Sequence, residues 1–154
     1  MESMTWHLAQ LNVGQLRAPI EHPDSAGFAD NLDPVNAQAE AASGFVWRLQ
    51  DDSGNATGFK RDGDQLRILN LSVWDSVESL KAFTYKGDHV EFMRKRLEWF
   101  EPRGQPHLVL WWVPAGHEPT IDEAEDRLAA LQASGPSREA FTFMMTFPPP
   151  GESS

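Results

Sequence analysis

Residues 66–74 read Leu66-Arg67-Ile68-Leu69-Asn70-Leu71-Ser72-Val73-Trp74, and this stretch decides the fold class. Leu69, Leu71 and Val73 share one side of a period-two pattern, while Ile68, Asn70, Ser72 and Trp74 share the other. A strand with a purely aliphatic side and a second side mixing tryptophan with an amide and a hydroxyl is covered, at least in part, on both faces. The segment therefore predicts a sheet with a layer on each side.

Working upstream, Phe45, Trp47 and Leu49 alternate with Val46, Arg48 and Gln50, which predicts a strand running into the polar, glycine-bearing stretch 51–64. Earlier still, Thr5 to Val13 places His7, Ala9, Leu11 and Val13 on one face and Trp6, Leu8, Gln10 and Asn12 on the other. Between these strands, Asp24 to Ala42 is rich in Ala, Asn and Asp and closes at Ser43-Gly44, so a helix is expected there, kinked or restarted at Asp33-Pro34.

Downstream, Asp75 with Glu78 has the spacing of a capping box and opens a helix through Phe83 and Tyr85 that Gly87 breaks. Asp88 with Glu91 repeats the signal for a helix to about Phe100, stopped by Glu101-Pro102. His107 to Val113 is the most apolar segment and reads as a strand well inside the sheet. Thr120 with Glu123 opens a helix with apolar Ala124, Leu128 and Leu131, ending at Gly135-Pro136, and Ala140 to Phe147 alternates as a last strand. The tail 148–154 offers nothing to pack and is expected to be disordered.

The order strand, helix, strand, strand, helix, strand is that of an α+β, ferredoxin-like βαββαβ domain, here with an added C-terminal helix and strand, in a single domain over 1–147. In that plan helices cover one sheet face, so polar and aromatic groups on the other face need a second layer or a ligand. A homodimer with sheets packed face to face would supply it.

The 154 residues suit one core, with 40% hydrophobic and 23% charged residues. Lys and Arg number 13 against 23 Asp and Glu, and the formal charge of -10 disfavours nucleic acid and anionic membrane surfaces as partners. Arg94, Lys95 and Arg96 form the one short basic run. With no long apolar span and no signal-peptide pattern, a cytoplasmic location is expected. The absence of cysteine removes disulfides, thiolate nucleophiles and Cys-ligated metal sites. His7, His22, His89, His107 and His117 are scattered without metal-site spacing, and no phosphate loop, dinucleotide fingerprint or nucleophile elbow occurs. No cofactor is expected.

The segment His89 to Phe100 carries the sharpest functional signal. At 100° per residue Glu91, Arg94, Lys95 and Glu98 face water, Val90, Phe92, Met93, Leu97, Trp99 and Phe100 form an apolar arc, and His89 and Arg96 lie near its middle. A half-buried imidazole can move a proton near neutral pH, and a buried guanidinium can hold a carboxylate or enolate oxygen, so His89 and Arg96 are the candidate catalytic pair. The structural alternative has His89 reaching solvent and Arg96 laying its stem on the core. Trp47, Trp74 and Trp112 on strands are candidate pocket walls or ordinary core, with Asn70, Phe92, Met93 and Trp99 completing the candidate ligand contacts. Gln10, Asn12, Asn70 and Ser72 could orient a ligand or satisfy one another.

His7-Leu8-Ala9-Gln10-Leu11-Asn12, Gly44-Phe45-Val46-Trp47-Arg48-Leu49 and Asn70-Leu71-Ser72-Val73-Trp74 together resemble the bacterial domain-of-unknown-function 3291 family. Asp88-His89-Val90, Arg96-Leu97-Glu98-Trp99-Phe100 and the run from Leu108 to His117 add to the resemblance, which covers about Met4 to Phe147. That family is similar in fold to the dimeric α/β-barrel group that includes antibiotic-biosynthesis monooxygenases, polyketide cyclases and haem-handling enzymes. The resemblance implies a dimer and transfers no catalytic residue. Three functions stay open: a cofactor-independent oxygenase, cyclase or isomerase acting on a hydrophobic or aromatic metabolite, a non-catalytic small-molecule-binding dimer, and a haem binder.

Overall fold

The computed structural model describes residues 5–15, 23, 37–49, 67–84 and 107–150. Strands β1 (Trp6–Gln15), β2 (Phe45–Arg48), β3 (Arg67–Trp74) and β4 (Leu108–Pro114) form one sheet in the order β2-β3-β1-β4. Every pairing is antiparallel. A helical segment α1 (37–41) precedes β2, α2 (Val77–Thr84) follows β3, and α3 (Ile121–Ser134) follows β4. This is the ferredoxin-like βαββαβ arrangement, in which β1 and β3 sit side by side because each helix carries the chain over one intervening strand.

Alternation divides the core in two. Ala9, Leu11 and Val13, Leu69, Leu71 and Val73, and Val109, Trp111 and Val113 share one face, where Ala124, Leu128 and Leu131 of α3 pack on them. The opposite face carries Leu8, Trp74 and Leu110, packed with Ala39 of α1, Leu80 of α2 and Phe141. The aliphatic face thus receives α3 of its own chain as a layer. The polar and aromatic groups lie on the same face as α1 and α2, not on a face left bare by the helices.

Three local readings change. Phe45 faces Trp74 and Trp47 faces Val73, so a bulge between them consumes Val46. One extra residue shifts side-chain parity, and Phe45 joins the Trp74 cluster while Trp47 and Leu49 join the aliphatic one, instead of all three sharing a face. β4 is not interior: it closes one side of the four-stranded sheet, and its burial comes from both faces and from a single bridge in which Leu110 and Phe141 exchange hydrogen bonds of 2.8 Å. The last strand expected over Ala140 to Phe147 is reduced to that bridge and two tight turns, Ser137 to Ala140 and Thr142 to Met145, which bend the chain before a ladder can grow.

The caps follow the sequence in one helix and shift in the other. Thr120 caps α3 by accepting from the Glu123 N–H at 3.1 Å, and the Gly135 N–H closes its end on the Leu131 carbonyl at 2.8 Å. α2 is capped by Ser76, whose hydroxyl accepts from the Ser79 N–H at 3.1 Å, rather than by Asp75. Asp75 instead accepts from the Ser79 hydroxyl at 2.5 Å and the Ser76 hydroxyl at 3.0 Å. Ser76→Ala should cost about 1 kcal/mol in a urea unfolding series, and an unchanged midpoint would show that Asp75 takes over the cap.

Asp51 to Asp64, Asp33-Pro34, the helix expected from Asp88 to Phe100 and the end of the tail, 151–154, lie outside the described residues. Residues 148–150 are described and join no helix or strand. Among the described residues no helix is long and apolar enough to cross a membrane, and no group of three His, Asp or Glu side chains could hold a metal ion.

Candidate functional site

On the helix-covered face the strand registers set residues in rows. Leu8 stands opposite Trp74 on one side and Trp112 on the other, Gln10 opposite Ser72 and Leu110, and Asn12 opposite Asn70 and Leu108. Rows two residues apart are separated by roughly 7 Å. A tryptophan-walled row is thus followed by a strip of hydroxyl and amide groups. Gln10 and Ser72 are 5% and 6% exposed, the two buried polar residues among the described ones.

Their hydrogen bonds form a directed network. The Trp74 indole N–H donates to Ser72 Oγ at 2.9 Å. Gln10 Nε2 donates to the same oxygen at 2.8 Å and to Asn70 Oδ1 at 2.6 Å, and lies 3.3 Å from the Asn70 carbonyl oxygen. At the end of the strip His107 Nδ1 lies 3.3 Å from Asn12 Oδ1. The amide and hydroxyl groups carry no formal charge, so their burial is offset by pairing and not by counter-ions.

Aromatic rings close the strip at one end. Trp74 stacks on Phe83 of α2 with centroids 5.3 Å apart and meets Phe45 edge to face at 5.5 Å. Trp112 lies 6.3 Å from Phe141, and its indole N–H donates to the Phe147 carbonyl at 2.9 Å. Trp74 is 1% exposed and Trp112 half-buried, so the first is wall and anchor and the second has surface left to offer.

Of the residues singled out from sequence, Trp74, Trp112 and Asn70 come together on this face. Trp47 lies on the other, behind the bulge, packed against the aliphatic cluster. His89, Arg96, Phe92, Met93 and Trp99 lie outside the described residues. Gln10 and Ser72 are more central than Asn70, which is exposed. Their even-numbered parity with Trp74 and Leu8 was the signal available for them.

A second polar junction lies on the α3 face. The Glu123 carboxylate accepts from the Trp111 indole at 2.9 Å and faces His117 Nε2 at 2.7 Å. Glu123 thereby ties the first turn of α3 to the sheet beneath it, where a capping box would have turned its side chain back on Thr120.

A four-stranded antiparallel sheet in the order β2-β3-β1-β4 with helices in both crossovers defines a ferredoxin-like α+β domain. The chain belongs to the family described as Domain of unknown function (DUF3291), whose model matches residues 7–154. Among solved structures, Rv0793 from Mycobacterium tuberculosis is similar with a TM-score of 0.51 and 10% identity, over 74% of this chain and 99% of that one. SnoaB, a cofactor-independent oxygenase from Streptomyces nogalater, aligns with a TM-score of 0.47 and 12% identity, over 75% of this chain and 96% of that one. PA3566 from Pseudomonas aeruginosa gives 0.48 and 12%, over 77% and 100%. At these identities the likeness to Rv0793 is one of fold, and no curated protein sequence matches the chain.

Proposed function

We propose that this protein binds a hydrophobic or aromatic small metabolite on the helix-covered face of its sheet and transforms it without a nucleotide cofactor, as an oxygenase, cyclase or isomerase. The observation that carries the proposal is the Gln10–Ser72 pair, buried at the centre of an apolar face and flanked by Trp74 and Trp112. Apolar walls with a few oriented polar groups are the usual make-up of a small-molecule site. His89 is assigned to move the proton and Arg96 to hold the developing anion, both from the sequence pattern of their segment.

A non-catalytic binding protein is the competing reading, favoured by one specific feature: the groups at the buried centre of the strip, Gln10 and Ser72 with Asn70 beside them, are amides and a hydroxyl, which do not exchange protons readily near neutral pH, and the His107 imidazole stands only at its end. The two separate by experiment. Hydroxylated and keto-substituted bicyclic aromatics are screened by thermal shift, and each binder is incubated in air and analysed by mass spectrometry. Catalysis predicts altered ligand, with turnover lowered on the order of a hundredfold or more in His89→Ala and Arg96→Ala. Bound but unchanged ligand would leave a binding protein, and full turnover in both variants would remove the two assigned roles.

A further inference from the structure

The network on the strip has a fixed direction, and that direction specifies the chemical edge of the ligand. The Trp74 indole can only donate, so Ser72 Oγ must accept it. The main-chain oxygen of Asn70 can only accept, which fixes Nε2 of Gln10 toward Asn70 and Ser72 and turns Oε1 away from them. Ser72 Oγ thus accepts two N–H groups, one per lone pair, and its own proton is left to donate elsewhere. Asn70 Oδ1 likewise accepts from Gln10, so its Nδ2 faces away. Among the described residues neither Gln10 Oε1 nor the Ser72 hydroxyl proton has a partner, although both residues are more than nine-tenths buried.

We infer that the strip reads a neutral donor–acceptor edge: a ligand N–H or O–H is received by Gln10 Oε1, and an adjacent ligand carbonyl is received by the Ser72 hydroxyl, with Asn70 Nδ2 beside it. The inference rests on the small-molecule reading above and narrows it to lactam, pyridone or hydroxy-ketone edges on an aromatic body. Nε2 of Gln10 touches Ser72 Oγ at 2.8 Å, and the two atoms of one carboxamide are roughly 2.3 Å apart, so the acceptor and the donor lie within one functional group of each other. A carboxylate is a poor match, because one of its oxygens would face the Gln10 carbonyl oxygen. Trp74 is a positioning residue here: its indole N–H occupies the lone pair that would otherwise let the Ser72 hydroxyl turn around.

The test uses three bicyclic probes and isothermal titration of the full chain. Carbostyril offers N–H beside C=O, N-methylcarbostyril keeps the carbonyl and loses the donor, and naphthoate offers acceptors alone. Carbostyril should bind about tenfold or more tighter than either, since its N–H adds a hydrogen bond to Gln10 Oε1 that neither of the other two can make. In Gln10→Leu the preference over N-methylcarbostyril should fall to near unity while N-methylcarbostyril affinity holds. Asn70→Ala, at an exposed position, is the folding-safe variant and should weaken carbostyril more than naphthoate. Equal affinities, or a preference for naphthoate, would overturn the edge assignment and leave small-molecule binding standing. No binding by any of the three would overturn both.

Discussion

Trp111→Ala is expected to lower the unfolding free energy by about 3–5 kcal/mol, the largest effect of any single truncation on the aliphatic face. Trp111 is 0% exposed and lies among Ala9, Val109, Val113, Ala124 and Leu128, where no small rearrangement fills the volume of an indole. The substitution also removes the donor that holds Glu123 at 2.9 Å, freeing the first turn of α3 from β4. For a chain of this length the melting temperature should fall by roughly 10 °C or more. Trp111→Phe keeps most of the volume and isolates the hydrogen bond, at about 1 kcal/mol. Equal losses in the two variants would mean that the Glu123 tether, and not the packing, holds the helix in place.

Gly44→Ala should be the other severe change, at about 2–4 kcal/mol, although it adds one methyl group. Gly44 has φ of 89°, a conformation that costs an L-residue about 1–2 kcal/mol. A Cβ there would also fall on the Ser79 hydroxyl and the Asp75 carboxylate, which are bonded to one another and cannot both retreat. The Gly44 carbonyl accepts from the Asp75 N–H at 2.8 Å, so the turn into β2 is clamped to the start of α2. Gly116 is the internal control: its φ is 93°, but nothing lies within 4 Å of the added carbon, so Gly116→Ala should cost only the backbone term. If urea midpoints place the two variants level, the clamp at Gly44 contributes nothing.

Much of the fold was legible because β1 and β3 alternate cleanly. The parity that puts Leu69, Leu71 and Val73 together and Ser72 with Trp74 is local and survives any tertiary context. Phe45, Trp47 and Leu49 show the limit: a bulge is invisible to a period-two count, and one extra residue sent Trp47 to the wrong side of the sheet from Trp74 and Trp112. The strand 107–113 was placed inside the sheet because its sequence is apolar on both sides. Apolarity reports covered faces and not paired edges, and here the edge is met by Phe141. The strip itself was half visible. Gln10, Asn12, Asn70 and Ser72 stood out as polar residues in strands, but the register that joins Gln10 to Ser72 is a property of two segments sixty residues apart and lies in neither alone.

The bridge between Leu110 and Phe141 has a consequence for synthesis. Residues 108–114 leave the ribosome well before Phe141 does, and in that interval a seven-residue run without a charged side chain presents unpaired amides along one flank. In the folded protein the main chain of Phe141 takes up the amide and carbonyl of Leu110 at 2.8 Å each, so one outward-facing position of that flank is already occupied by the chain's own residues after α3.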